Sequence, residues 1–150
     1  MFTVMSALAV AVTLMQAPPK PANPACATLA PEQVASLIGA AARTMPVTAS
    51  PTGSTCMFQN NDKSITVLMA TPSTVDSAQG LYSAKKRIAA GTEVKGWGLP
   101  AYAAVTAAAA SVGILVKQTF TEVKVSDPAQ KPEAIAVQLQ AVMKEVAGRK

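Results

Sequence analysis

Hydrophobic positions alternate most cleanly over residues 64–71, where Ile65, Val67 and Met69 fall on one side of an extended chain and Thr66, Leu68 and Ala70 on the other. That is the period of a half-buried strand. The same period returns over residues 119–126, with Val123 and Val125 opposed to Glu122 and Lys124, and over residues 54–59, with Cys56 and Phe58 on one face. Asn60-Asn61-Asp62 between two of these runs is a hairpin turn signal. Residues 43–48 make a further strand, which Pro46 confines to a sheet edge because proline has no N–H to give to a ladder. Ser50-Pro51-Thr52-Gly53 then reads as a turn. Residues 112–118 form an apolar strand. Residues 101–109 are rich in alanine, a helix former, but Tyr102, Val105 and the soft turn near Ala110-Ser111 favour a strand.

Helical spacing appears in three other places. Val34, Leu37, Ile38 and Ala41 predict a helix over residues 31–42, opened by Pro31 and Glu32, residues suited to a first turn. Val75, Ala78, Leu81, Tyr82, Lys85 and Ile88 predict a helix over residues 73–90, started by Ser73 with Asp76 and closed by Gly91. Ile135, Leu139, Val142 and Val146 give one apolar stripe over residues 132–147, with Gly148 as its cap. The order α-βββ-α-βββ-α predicts an α+β fold, an antiparallel sheet of about six strands with helices packed on one face. The strands-then-helix pattern occurs twice, which leaves an internal duplication open.

The N-terminal segment reads differently. An apolar run ends near Met15 and is shorter than the roughly 20 residues a membrane span needs. It is followed by Gln16-Ala17-Pro18-Pro19-Lys20-Pro21. Residues 1–17 therefore resemble a secretory signal segment, although no basic residue precedes the apolar run, and residues 18–25 a proline-rich tether. Residues 26–150 form a single domain. The expected destination is outside the cytoplasm: periplasm, cell envelope or medium, with no membrane span in the mature chain. Cys26 and Cys56 are the only cysteines. An even pair in an exported chain is expected to form a disulfide. No Leu-x-Ala or Leu-x-Gly pattern precedes Cys26, so a lipid anchor is not expected.

Composition narrows the chemistry. The chain contains no histidine, which removes the commonest general base and the commonest zinc ligand. Its formal charge of +5 comes mostly from dispersed residues, without the dense basic face and stacking aromatics of a nucleic-acid binder. Its acidic residues show no spacing that forces two carboxylates together. No nucleophile elbow or phosphate loop occurs, and Gly96-Trp97-Gly98 is too short for a dinucleotide fingerprint. Met45, Met57 and Met69 lie one to a strand and read as core filling rather than a soft-metal site. No cofactor and no metal are expected.

Several features together resemble a family of small bacterial secreted proteins and lipoproteins of unknown function, common in high-GC Gram-positive bacteria. They are an export leader, Cys26 followed by a helix ending at Leu37-Ile38-Gly39, Cys56-Met57-Phe58, and the loop Gly96-Trp97-Gly98-Leu99-Pro100-Ala101-Tyr102. The resemblance implies fold and compartment only. This chain departs from it in lacking a lipobox and in carrying Leu99-Pro100 where the family usually has an acidic residue.

The function this supports is a non-catalytic binding or accessory domain of the cell envelope, with an unidentified protein or small molecule as partner. Trp97, Tyr102, Gly96 and Gly98 are the candidate contact residues. Trp97 between two glycines either anchors a partner or folds back to plug an alanine-rich core. The alternatives are an inhibitor or structural protein acting on an envelope enzyme, and a hydrolase that works without histidine.

Overall fold

The computed structural model describes residues 23–50 and 52–149. The signal-like residues 1–17 and most of the tether lie outside the described residues. The last tether residues do not hang free. Asn23 Nδ2 donates to the carbonyls of Thr48 (2.8 Å) and Thr55 (3.0 Å), and Ala25 is fully buried. The packed domain therefore already includes Asn23.

The elements run α1 (Pro31–Ile38), β1 (Arg43–Ala49), β2 (Gly53–Asn60), β3 (Lys63–Ala70), α2 (Val75–Ile88), β4 (Thr92–Glu93), β5 (Ala101–Val105), β6 (Ala110–Val116), β7 (Thr119–Ser126) and α3 (Pro132–Gly148). The strands form one antiparallel sheet in the order β1-β2-β3-β7-β6-β5-β4. The α+β antiparallel architecture is as the pattern predicts. The seventh strand is the two-residue β4, too short to show a period.

Local chemistry sets the element ends. Pro46 sits on edge strand β1, and the register shifts between Pro46 and Thr48, a bulge that blunts an exposed edge. Asn61, at φ 55°, turns the β2–β3 hairpin. The first helix is shorter than its apolar spacing predicts, because Gly39 takes φ +96° while its N–H still bonds Ala35 O. A Cβ there would lie 2.8 Å from Asn60 Nδ2, which caps the helix by donating to Ile38 O at 2.7 Å. At α2 the N-cap is Thr74, whose Oγ1 accepts from Ser77 N, rather than Ser73. Its C-terminal left-handed residue is Ala90 (φ 51°), not Gly91. Gly91 is needed for another reason: a Cβ would stand 2.6 Å from the Tyr102 ring. Gly148 lies inside α3 and does not cap it.

The sheet is covered on both faces. One face carries Cys56, Phe58, Ile65, Val67, Val112, Ile114, Val123 and Val125. It packs against Val34, Leu37 and Ile38 of α1 and against Ile135, Leu139, Met143 and Val146 of α3. The other carries Tyr102, Leu115 and Phe120 and packs against Ala78, Leu81 and Tyr82 of α2. The one-face expectation thus holds for α1 and α3 but not for α2. The reason is topological. The chain leaves β3 in mid-sheet and must cross β7, β6 and β5 to reach β4 at the far edge, and α1 and α3 already fill one face. With β4 set aside, the strand order is symmetric about the β3–β7 pair. A two-fold axis normal to the sheet would relate the two strand triplets and keep each face, yet α2 and α3 lie on opposite faces, so the helices do not follow a duplication.

The disulfide Cys26–Cys56 is present, with Cα atoms 5.1 Å apart and a sequence separation of 30. It ties the turn before α1 to β2. Closing a loop of that length contributes about 3.5 kcal/mol in the chain-entropy account. Among the described residues no helix is long and apolar enough to cross a membrane.

Candidate functional site

The four expected contact residues do not form one surface. Gly96 (φ 82°) and Gly98 (φ 69°) are exposed, and an added Cβ would meet nothing within 4 Å. Glycine is required there by backbone conformation, not by a neighbour. Trp97 between them is partly buried and, with Val94 and Leu99, packs against the α1/α3 core. Its indole serves in good part as a plug.

Tyr102 is wholly buried, so its place on a contact surface is corrected. Its ring occupies space left by two absent side chains, at Gly91 and at its cross-strand partner Gly113. Tyr82 (5.6 Å between centroids) and Phe120 (6.5 Å) flank it. Its hydroxyl donates to Glu122 Oε2. Burial, reinforced by that carboxylate, pushes the phenol pKa far above its ordinary value, so Tyr102 stays a neutral donor and is poorly suited to act as a base.

The concavity that the alanines leave lies elsewhere. The first helix spans only eight residues and packs over β2 and β3, so among the described residues no helix lies above the adjoining part of β1. A groove of about 450 Å³ results. Cys26, Leu29, Pro31, Val34 and Ala35 form one wall and Ala42, Thr44 and Phe58 the other, while Gly39 and Ala40 also line it. Ala27, Ala30, Ala35, Ala40 and Ala42 all border it, and each contributes only a methyl group where a larger side chain would fill the space. Arg149, at the C-cap of α3, is the one charged residue among those lining it. A smaller groove of about 260 Å³ lies between the end of α2 and the sheet, bordered by Lys85, Ile88, Ser111, Glu122 and Lys124.

The acidic groups in contact with partners are engaged structurally. The Asp127 side chain is buried and accepts from Lys63 Nζ (3.1 Å), Gln130 Nε2 (2.7 Å) and Ala129 N (2.9 Å). Burial pushes its pKa up. The bonds from Gln130, Ala129 and Lys63 outweigh that and hold the carboxyl below its ordinary value. Glu122 accepts from Tyr102, Glu93 pairs with Lys86, and Glu145 takes both Gln33 and Arg149. Among the described residues no three of His, Cys, Asp and Glu come together as a metal site would require.

No family model, curated protein or solved structure matches this chain. The chemistry of the groove rests on its own residues. The groove escaped the sequence pattern because its walls come from α1, two strands and the end of α3. The available signal was the clustering of alanines around Cys26 and around the end of α1, next to a helix too short to cover an edge strand.

Proposed function

We propose that this chain is an exported, non-catalytic binding domain of the cell envelope that takes a small, mainly apolar ligand in the groove between α1 and β1–β2. The observation that carries this reading is the groove. Its volume falls within the range of ligand sites; the side chains around it are mostly small and apolar, and about half of the surface it exposes is polar. Export is supported by the disulfide, a bond that persists in oxidising compartments, and by the signal-like N-terminus. The binding class is supported by the commitment of Glu122 and Asp127 to internal partners and by the lack of histidine. The partial burial of Trp97 against the α1/α3 core supports the groove over the glycine loop as the contact surface.

The test is titration of the oxidised chain with the neutral apolar fluorophore N-phenyl-1-naphthylamine. Saturable 1:1 binding that Ala35→Phe abolishes without lowering thermal stability is the expected result. Binding that Ala35→Phe leaves intact, or no saturable binding, would sink the groove as the site.

A further inference from the structure

We infer that the smaller groove, between the end of α2 and the sheet, is a binding site for a phosphate monoester, held by Lys85, Lys124 and the Ser111 hydroxyl. The site is separate from the groove beside α1 and does not depend on it. Sheet register builds its floor. Ala104, Ser111 and Lys124 stand directly opposite one another across β5, β6 and β7, and cross-strand partners share a face. Ala104 contributes only a methyl group, so space remains above the row. Lys85 reaches the same groove from the last turn of α2. The space enclosed is about 260 Å³.

Three donors there lack partners among the described residues. Ser111 is 9 % exposed, yet its hydroxyl makes no hydrogen bond with any described residue. A polar group buried to that extent is ordinarily paired, and leaving one bare is costly. The hydroxyl is not sealed in: among the described residues, Ser54 Oγ is the one fully enclosed polar side-chain atom without a partner. Lys85 and Lys124 make no ion pair with a described carboxylate, although Lys63, Lys86 and Arg149 each do. Two unpaired cations at one small groove repel each other, and an anion between them relieves that. Glu122 also borders the groove, but its Oε2 accepts from the Tyr102 hydroxyl in the neighbouring slot. The three donors come from three elements rather than one plane. That suits a tetrahedral oxyanion, with each lysine acting as a point charge, better than a flat carboxylate, which a planar guanidinium matches. A phosphate monoester carries about two negative charges at neutral pH, which match the two ammoniums. Ile88, 78 % exposed, stands at the same groove and offers an apolar contact to an organic group on the phosphate.

The experiment is calorimetric titration of the oxidised full chain, at constant ionic strength, with glycerol 3-phosphate and with dihexanoylphosphatidic acid below its micelle concentration. Saturable 1:1 binding is expected, with none for glycerol. Lys85→Gln, Lys124→Gln and Ser111→Ala should each weaken it about tenfold, the scale of one charge-assisted hydrogen bond. Ser111→Ala should keep its thermal stability, since the hydroxyl it removes has no partner. Glu122→Gln should bind more tightly. Lys144→Gln removes the same charge from α3, on the other side of the sheet, and should leave affinity unchanged. Tighter binding of the phosphatidic acid, by a margin that Ile88→Ser removes, assigns the phosphate to a lipid headgroup; equal or weaker binding assigns it to a soluble ester. Failure of both ligands to saturate overturns the site, as does binding that survives both Lys85→Gln and Lys124→Gln. An equal loss in Lys144→Gln would reduce the effect to net charge, and weaker binding in Glu122→Gln would mean that the groove reads a cation; either result overturns the inference.

Discussion

The two faces of this sheet treat small residues in opposite ways. Under α2, Gly91 and Gly113 clear a slot, and Tyr102 fills it, ringed by Tyr82 and Phe120 and fixed through Glu122. Beside α1, a set of alanines borders a groove that no large side chain among the described residues fills. Small residues alone do not make a cavity. What decides is whether the topology brings a large residue into register with the gap. Tyr102 pairs directly with Gly113 across β5 and β6. The groove borders β1, an edge strand with no neighbour beyond it to supply such a residue. Both faces are held by packing, and the α1 side is also tied at its margin by the disulfide.

The largest effect should come from removing that tie. Cys26→Ser with Cys56→Ser should lower stability by about 3.5 kcal/mol, read from the denaturant midpoint. The groove should lose its probe binding at denaturant concentrations where the near-ultraviolet circular dichroism of the Tyr82–Tyr102–Phe120 cluster is still native. Loss of both signals together would show that the two faces are not separable.

On the filled face, Gly113→Ala should cost about 3 kcal/mol, the upper end of overpacking. The new Cβ would collide with the Tyr102 ring and hydroxyl, and the ring cannot retreat without giving up Glu122. Chemical denaturation checks this, and a cost under about 1 kcal/mol would mean that the slot is softer than its geometry implies.

Much of this layout was legible along the chain. The strands β3 and β7 and the helix α3 announce themselves because the residues they send into the larger core keep a clean period, whereas α2 buries only Ala78 and leaves Val75 and Ile88 of its expected stripe exposed. The cysteine pair follows from there being two cysteines in a chain expected to be exported. The face on which α2 lies was not legible from its own sequence, since any apolar stripe fits either side. The hint sat in β6, where the run from Ala110 to Leu115 is buried throughout, as happens when a strand is covered on both sides. Along the chain Tyr102 follows closely on Gly96 and Gly98, which places it with an exposed loop that its side chain does not join. The glycines that matter to it are Gly91 and Gly113, distant in sequence and joined to it only by sheet register and the α2–β4 turn.

Asp127 stands at the turn from β7 into α3, and its effect should be intermediate. Its folded pKa is lowered, so the stability it gives is complete above the unfolded carboxylate value and is lost as pH falls through the folded one, below about pH 4. Asp127→Asn should cost about 2 kcal/mol at neutral pH and flatten the acid limb of the stability curve measured from pH 6 to 2. An acid limb as steep in the variant as in wild type would assign the pH dependence to other carboxylates.

The smallest effect is the most informative for the comparison. Ala35→Phe adds a whole ring on the groove side, where Gly113→Ala adds one methyl on the other. Volume alone would rank the first as worse. If the groove is open space, the ring enters it without displacing a neighbour, and stability changes by less than about 1 kcal/mol in either direction. Denaturant midpoints of the two variants, measured side by side, give the answer directly. An Ala35→Phe variant destabilised as much as Gly113→Ala would mean that the α1 side closes in solution and that its alanines are packed rather than left apart.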